Sequence, residues 1–187
     1  MTAIAAENRL LLPLSAVVAG SVALVARPPL LRAAPDATAL LVTLFVLLLA
    51  VGALLPLAST PAPVAARTWT GVFALGIAAF AVGRLLGGGE APAVFTAKLV
   101  ALNTLAAVAE EAFFRRLVFD VFRPGGDVSA VVGSALLFAI VHVPVYGLWV
   151  LPIDLAAGLV LSWQRWATGT WTVPAATHVV ANLLVVI

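Results

Sequence analysis

Cysteine is absent from this chain of 187 residues, and charged residues are few. Without cysteine the chain has no disulfide, no thiol nucleophile and no cysteine-ligated zinc. Charged residues make up 10% of the sequence, whereas a soluble domain carries roughly 25%. A surface with so little charge suits lipid better than water, so we expect an integral membrane protein.

Neither sign of charge is concentrated in one region. Ten Lys and Arg residues stand against eight Asp and Glu residues, which gives a net charge of +2. The basic residues lie mostly near the ends of apolar stretches, as is typical of membrane flanks. No basic run occurs, so we expect no nucleic-acid partner. The GxSxG signature of serine hydrolases and the HExxH signature of zinc proteases are also missing.

Long apolar stretches are abundant instead. Hydrophobic residues make up 64% of the chain, and the mean hydropathy is +1.18. A spanning helix needs about 20 mostly apolar residues. Stretches of this kind, separated by Pro and Gly, lie at 10–26, 38–58, 69–86, 92–122, 128–143, 148–163 and 172–187. The sequence therefore predicts an all-α fold, a polytopic membrane helical bundle of about seven transmembrane helices with no soluble domain.

The fourth stretch contains charges that a membrane helix normally excludes. A charge near the bilayer centre costs at least about 2.5–3.5 kcal/mol, so it needs a partner or a function. Glu111 and Arg115 are four residues apart and can pair on one helix face, and Arg116 and Asp120 can do likewise. Glu110 points about 100° away from Glu111 and has no cation at helical spacing. Glu110 is thus available for chemistry, unless the span ends before it and the charges form a solvated tip.

The only two histidines of the chain also lie in apolar stretches. Phe138 and His142 share a face of the fifth span, and His178 and Asn182 share a face of the seventh. Either histidine could simply hydrogen-bond between helices. Helix rise places Glu110 and His142 at similar depth, about 20 Å from the loop that joins their spans, but leaves His178 about 10 Å nearer the membrane face. A tilt of the last span would have to close that gap.

These side chains together are suited to activating water. Glu110 can take a proton from a water that His142 helps to hold. His178 and Asn182 can donate hydrogen bonds to an oxyanion forming on a peptide carbonyl. This chemistry needs no cofactor, and we predict none. A zinc site remains the alternative, since Glu110, His142 and His178 are acceptable zinc ligands.

Three motifs make the later half of the chain resemble a known family. They are EExxxR at 110–115, FxxxH at 138–142 and HxxxN at 178–182. In this order, on successive late spans, they resemble the CPBP family of intramembrane proteases. That family includes CAAX-processing endoproteases and bacteriocin-processing or immunity proteins. The resemblance extends over roughly residues 92–187.

The resemblance implies a glutamate-dependent intramembrane endopeptidase that hydrolyses peptide bonds of membrane-associated substrates. The catalytic residues it implies are Glu110, His142, His178 and Asn182, supported by Glu111, Arg115 and Phe138. The apolar stretches predict three N-terminal transmembrane helices in residues 1–91, and the resemblance implies that residues 92–187 form a catalytic core of about four transmembrane helices. We expect the protein in the bacterial cytoplasmic membrane. A non-catalytic bacteriocin-immunity or scaffold protein, and a zinc-dependent form of the same protease, remain open.

The remaining polar residues have simpler interpretations. Asp154 lies near the start of the sixth span, where the helix dipole favours a carboxylate. Asn103 lies seven residues before Glu110 and is a candidate partner for it. Three Trp residues surround Arg165, a composition typical of the membrane interface.

Overall fold

The computed structural model describes residues 3–57, 66–87 and 96–186, and all regular elements within those residues are helical. The predicted all-α class is therefore confirmed. The helices are α1 (Ala3–Val25), α2 (Arg27–Ala33), α3 (Ala37–Leu54), α4 (Ala66–Gly87), α5 (Ala97–Glu111), α6 (Phe119–Phe122), α7 (Asp127–Tyr146), α8 (Leu151–Thr168) and α9 (Thr172–Val186). A π-helical turn, Ala112–Val118, joins α5 directly to α6.

Several described helices are long and apolar enough to cross a membrane. On length and composition, three qualify: α3, the Thr68–Leu86 part of α4, and α7. The pair formed by Leu11–Val25 of α1 and by α2, bent by 54° between them, is a fourth candidate. These helices identify the chain as an integral membrane protein. The predicted number of seven spans is not confirmed by this criterion.

The end of α7 differs from the prediction. The sequence predicts that the fifth span stops before Pro144, but α7 continues to Tyr146. A proline removes one backbone hydrogen bond and leaves the next ones intact, so the helix runs on. It ends at Gly147, whose φ of 90° lies in the left-handed region that glycine adopts without strain. The extra turn carries the Tyr146 ring towards His142.

Apolar side chains from both halves of the chain share one core. Helix α3 packs against α5 and the π turn, α1 packs against α7, and α9 lies against both α4 and α5. The buried cluster consists of Val17, Leu24, Phe45, Leu48, Ala109, Phe113, Phe114, Leu117, Val118, Phe138 and Val141. Helices α1, α3 and α4 of the first half therefore pack against the helices of the second half. The predicted division between residues 91 and 92 lies outside the described residues and stays a prediction.

Arg116 binds the end of α3. Its Nη1 donates a hydrogen bond of 2.6 Å to Gly52 O, and its Nη2 donates one of 2.9 Å to Leu55 O. A cation at these last carbonyls also complements the helix dipole. The predicted pairing of Arg116 with Asp120 is wrong, because Arg116 binds these two carbonyls while Asp120 contacts Arg165 and Arg123 instead.

The turn before α3 is fixed by an N-cap. Asp36 Oδ1 accepts hydrogen bonds from the backbone N–H groups of Thr38 at 2.8 Å and Ala39 at 3.0 Å. These N–H groups, that of Ala39 foremost, hold the pKa of Asp36 below its usual value. The cap sets the first residue of α3 and so the register in which α3 meets the π turn.

Gly52 allows α3 to touch the π turn. A Cβ on Gly52 would lie 2.6 Å from both Ala112 C and Phe113 N, which are backbone atoms. We therefore expect Gly52→Ala to destabilise the protein by about 1–3 kcal/mol through overpacking. The measurement is the apparent unfolding midpoint in detergent. Gly83→Ala is the matched control, since its Cβ would meet nothing within 4 Å, and equal midpoints for the two variants would contradict this contact.

Candidate active site

Two adjacent glutamates end α5, and the π turn begins directly after them. Both side chains are buried, with 5% of Glu110 and 0% of Glu111 exposed. A buried carboxylate needs a compensating partner in a membrane protein. The two glutamates have different partners, and each one faces one of the two histidines.

Glu111 lies between an arginine and a histidine. Its Oε2 is 3.2 Å from Arg115 Nε, and neither side chain has any exposed area. Its Oε1 accepts a hydrogen bond of 2.8 Å from His178 Nδ1. The predicted pair of Glu111 and Arg115 is thus confirmed, and His178 joins it as a third residue. The depth gap expected for His178 is closed, because α9 packs against α5.

Arg115 connects the EExxxR motif to the next helices. Its guanidinium carbon lies 4.4 Å from the centre of the Phe138 ring, and its Nη2 donates a 3.4 Å hydrogen bond to Gly158 O. Its Nε and Nη1 are buried without a hydrogen-bond partner among the described residues. The Arg115 cation is therefore stabilised mainly by its charge attraction to Glu111 and by its cation–π contact with the Phe138 ring. Phe138, the first residue of FxxxH, acts as a platform for the arginine.

Glu110 faces the second histidine at a longer distance. Its Oε1 is 3.8 Å from His142 Nε2, which exceeds a direct hydrogen bond. His142 Nδ1 donates a hydrogen bond of 2.7 Å to Phe138 O. A carbonyl oxygen only accepts, so Nδ1 carries a proton and the neutral ring presents a lone pair at Nε2. A gap of this size between two polar atoms suits a bridging water.

Two further side chains, those of Asp154 and Tyr146, lie next to His142 and belong to none of the three motifs. Asp154 Oδ2 is 3.9 Å from His142 Nδ1, and this oxygen is buried without a hydrogen-bond partner among the described residues. The Tyr146 ring stacks on the His142 ring with centroids 6.0 Å apart and an interplanar angle of 9°. Asp154 does lie in the first turn of α8, as predicted. The spacing of Tyr146, four residues after His142, was a usable signal that sequence reasoning passed over.

Asn182 lies one turn beyond His178 on α9 and reaches α5. Its Nδ2 donates a long hydrogen bond of 3.5 Å to the backbone oxygen of Asn103. The Asn103 side chain itself donates to Leu99 O at 3.0 Å. The Asn103 amide nitrogen therefore binds its own helix, and the predicted role of Asn103 as a partner of Glu110 stays a prediction.

Arg165 is a buried residue and not a membrane flank. Only 3% of it is exposed, and its Nε donates a hydrogen bond of 2.8 Å to Arg115 O. Ser134 Oγ donates a second one, also 2.8 Å long, to Phe114 O. Both bonds bind carbonyls of the π turn, where the helical ladder is irregular. Arg165 and Ser134 thus fix the backbone that carries Arg115.

The alternative zinc ligands are not assembled into one group in the part of the chain that the structure describes. Among residues 3–57, 66–87 and 96–186, no three His, Asp or Glu side chains are arranged to hold a metal ion. Glu110 faces His142, whereas His178 donates to Glu111. The described residues instead form two neighbouring carboxylate–histidine pairs. The pair of Glu111 and His178 also contacts Arg115, whereas the pair of Glu110 and His142 has no ion pair with an arginine.

Comparison with known proteins places the chain in a family. No curated protein and no solved structure matches it. A family model described as "Type II CAAX prenyl endopeptidase Rce1-like" matches residues 92–184, about half of the 187 residues. The matched stretch contains all three motifs and confirms the predicted family. The chain therefore belongs to the Rce1-like type II CAAX prenyl endopeptidases, a family of membrane proteases.

Proposed function

We propose that this protein is an intramembrane endopeptidase in which Glu110 activates a water molecule. The observation that carries the proposal is the 3.8 Å gap between Glu110 Oε1 and the lone-pair nitrogen of His142. A buried carboxylate without a direct ion pair to a permanent cation is free to accept a proton. Membership in a protease family supports hydrolysis as the reaction.

The proposed reaction is a direct attack of water on a peptide carbonyl. Glu110 takes a proton from a water held between Oε1 and His142 Nε2, and the resulting hydroxide adds to the carbonyl carbon. Glu110 then returns the proton to the departing amine when the tetrahedral adduct breaks its C–N bond. The products are a carboxylic acid and an amine, and no covalent enzyme intermediate forms.

His178 and Asn182 are the proposed donors to the oxyanion. Because His178 Nδ1 donates to Glu111, only Nε2 is left for the substrate, and it donates when the ring carries both protons. The Asn182 amide holds Asn103 O at 3.5 Å, a contact weak enough for a shorter bond to the oxyanion to replace it.

Asp154 and Tyr146 are proposed to orient His142. The carboxylate of Asp154 lies on the Nδ1 side of the ring, opposite the side that faces Glu110. The parallel Tyr146 ring restricts the tilt of the imidazole. A histidine held from three directions keeps Nε2 aimed at one water position, which is the preorganisation that water activation needs.

The helices that carry the site are proposed to complete a bundle of seven spans. The continuous helical stretch 97–122 is about 39 Å long at helical rise, more than the roughly 30 Å of a hydrocarbon core. Its central charged side chains point inwards, since Glu111 and Arg115 are 0% exposed. Helices α8 and α9 would then be the last two spans. The bacterial cytoplasmic membrane is the location we propose.

Purified protein in lipid nanodiscs tests the proposed function. Membrane-associated peptides are incubated with wild type, and mass spectrometry identifies the fragments. Comparing the membrane proteomes of a wild-type strain and a Glu110→Gln strain would name the substrate as a precursor that accumulates uncleaved. A non-catalytic immunity or scaffold protein would give no fragments in either experiment.

We also propose that the reaction needs no resident metal ion, because Glu110 faces His142 whereas His178 donates to Glu111, so that in the described structure these three side chains do not converge on one position. Incubation with a zinc chelator is therefore expected to leave the cleavage rate unchanged. Metal analysis of the same purified sample provides the control for contaminating zinc. A rate that falls in chelator and returns on adding zinc would establish the zinc-dependent form instead.

A further inference from the structure

Arg27 is a buried cation that forms no ion pair with any of the described residues. It begins α2 directly after the 54° bend from α1 and is 9% exposed. The guanidinium carbon of Arg27 lies 5.8 Å from the centre of the Phe45 ring. This distance is near the outer limit of a cation–π contact. Among the residues described, none forms an ion pair or hydrogen bond with this guanidinium.

The position of Arg27 brings this charge to the candidate active site. Helix α2 packs against α7, which carries His142 and Tyr146, and against α3. The Arg27 guanidinium lies within electrostatic range of Glu110 and Tyr146, and both of these groups contact His142. Arg27, from the first half of the chain, therefore contributes to the electrostatic environment of Glu110 in the second half.

An unpaired guanidinium is costly inside a membrane protein and favours an anion that can reach it. The other buried arginines of the core have partners, because Arg115 contacts Glu111 and Arg165 contacts Asp120. Arg27 is therefore the buried arginine without an anionic partner among the described residues, and its helix packs against the helix that carries His142.

We propose that Arg27 binds a carboxylate of the peptide substrate beside Glu110 and so selects which peptides are cleaved. This rests on the proposed function, since it names a part of its substrate. A carboxylate is the anion that a peptide offers, and its planar shape matches the paired donors of a guanidinium. It can come from the C-terminus of the peptide or from an Asp or Glu side chain.

Peptide binding tests this proposal without relying on turnover. Wild type, Arg27→Gln and Arg27→Lys are placed in phosphatidylcholine nanodiscs, and each is titrated with fluorescent peptides that differ only in one carboxylate. One pair compares a free C-terminus with its amide, and another compares Asp with Asn near the C-terminus. Arg32→Gln, an exposed arginine on the same helix, is the matched control.

In one of the two peptide pairs, wild type and Arg32→Gln are expected to bind the carboxylate form about tenfold more tightly than the amide form. This is the size of effect expected from one charge-assisted hydrogen-bonded pair. Arg27→Gln is expected to lose this preference and Arg27→Lys to regain part of it, a rescue that depends on charge. The pair that shows the preference identifies the source of the carboxylate.

The proposal is overturned if Arg27→Gln keeps the full wild-type preference. It is also overturned if wild type shows no preference in phosphatidylcholine but binds phosphatidylglycerol in a manner that depends on Arg27, because the anion would then be a lipid phosphate. Preference in binding without any cleavage would contradict the proposed function and leave the carboxylate site standing. The two failures are therefore distinguishable.

Discussion

Glu110→Gln is expected to abolish peptide cleavage and to leave the protein folded. The amide has nearly the same shape as the carboxylate but cannot take a proton from water. General-base catalysis typically contributes about 10²–10⁴-fold, so the rate should fall by at least about 100-fold. Stability should change little, because the ion-pair contact of Glu110 is the distant one to His142 at 3.8 Å.

The measurement combines single-turnover cleavage in nanodiscs with the apparent unfolding midpoint of the same sample. Asp36→Asn is a suitable control, since it changes an exposed carboxylate in the turn before α3 to its amide. That variant should cleave at the wild-type rate. Cleavage by Glu110→Gln at the wild-type rate would exclude Glu110 as the base and would direct attention to Glu111.

Arg115→Met is expected to be among the most destabilising single substitutions in the chain. It leaves the Glu111 carboxylate buried without its cation, and removal of one partner from a buried ion pair costs about 3–5 kcal/mol. The hydrogen bond from His178 to Glu111 at 2.8 Å keeps the loss near the lower end of that range. Adding Glu111→Gln to Arg115→Met should recover most of the stability, because no uncompensated charge then remains.

Arg123→Met is the matched control for this experiment. Its ion pair with Asp120 spans 4.0 Å and its side chain is 35% exposed, so its loss should cost at most about 1 kcal/mol. Apparent unfolding midpoints and yields in detergent report the differences. If Arg115→Met were as stable as Arg123→Met, the pair of Glu111 and Arg115 would contribute no net stability.

Contacts within one helix were predictable from the sequence. The pair of Glu111 and Arg115 and the bond from His142 to Phe138 O both join residues four apart, and they depend only on helical geometry. The π turn was not predictable, because a single widened turn leaves no periodic signal in apolar residues. The prediction for Arg116 failed for a different reason, because the partners of this residue are carbonyls at the end of α3.

Contacts between helices depend on tilt and rotation, which residue spacing does not encode. The approach of His178 to Glu111, of Asp154 to His142 and of Arg165 to Arg115 O all belong to this class. The buried state of Arg165 was missed for a related reason. A basic residue near the end of an apolar stretch normally lies among lipid headgroups, and only the packing reveals that it faces inwards.

The π turn gives the spacing of the EExxxR motif a strict meaning. Three residues separate Glu111 from Arg115, and all of them belong to the turn. Removing one would convert the backbone towards a regular α-helix and rotate everything after it by about 100°. Arg115 would then leave the ring of Phe138, and Arg116 would leave the end of α3. The length of this segment is thus as much a part of the motif as its charged residues, and an insertion or deletion here would be equivalent to losing several side-chain contacts at once.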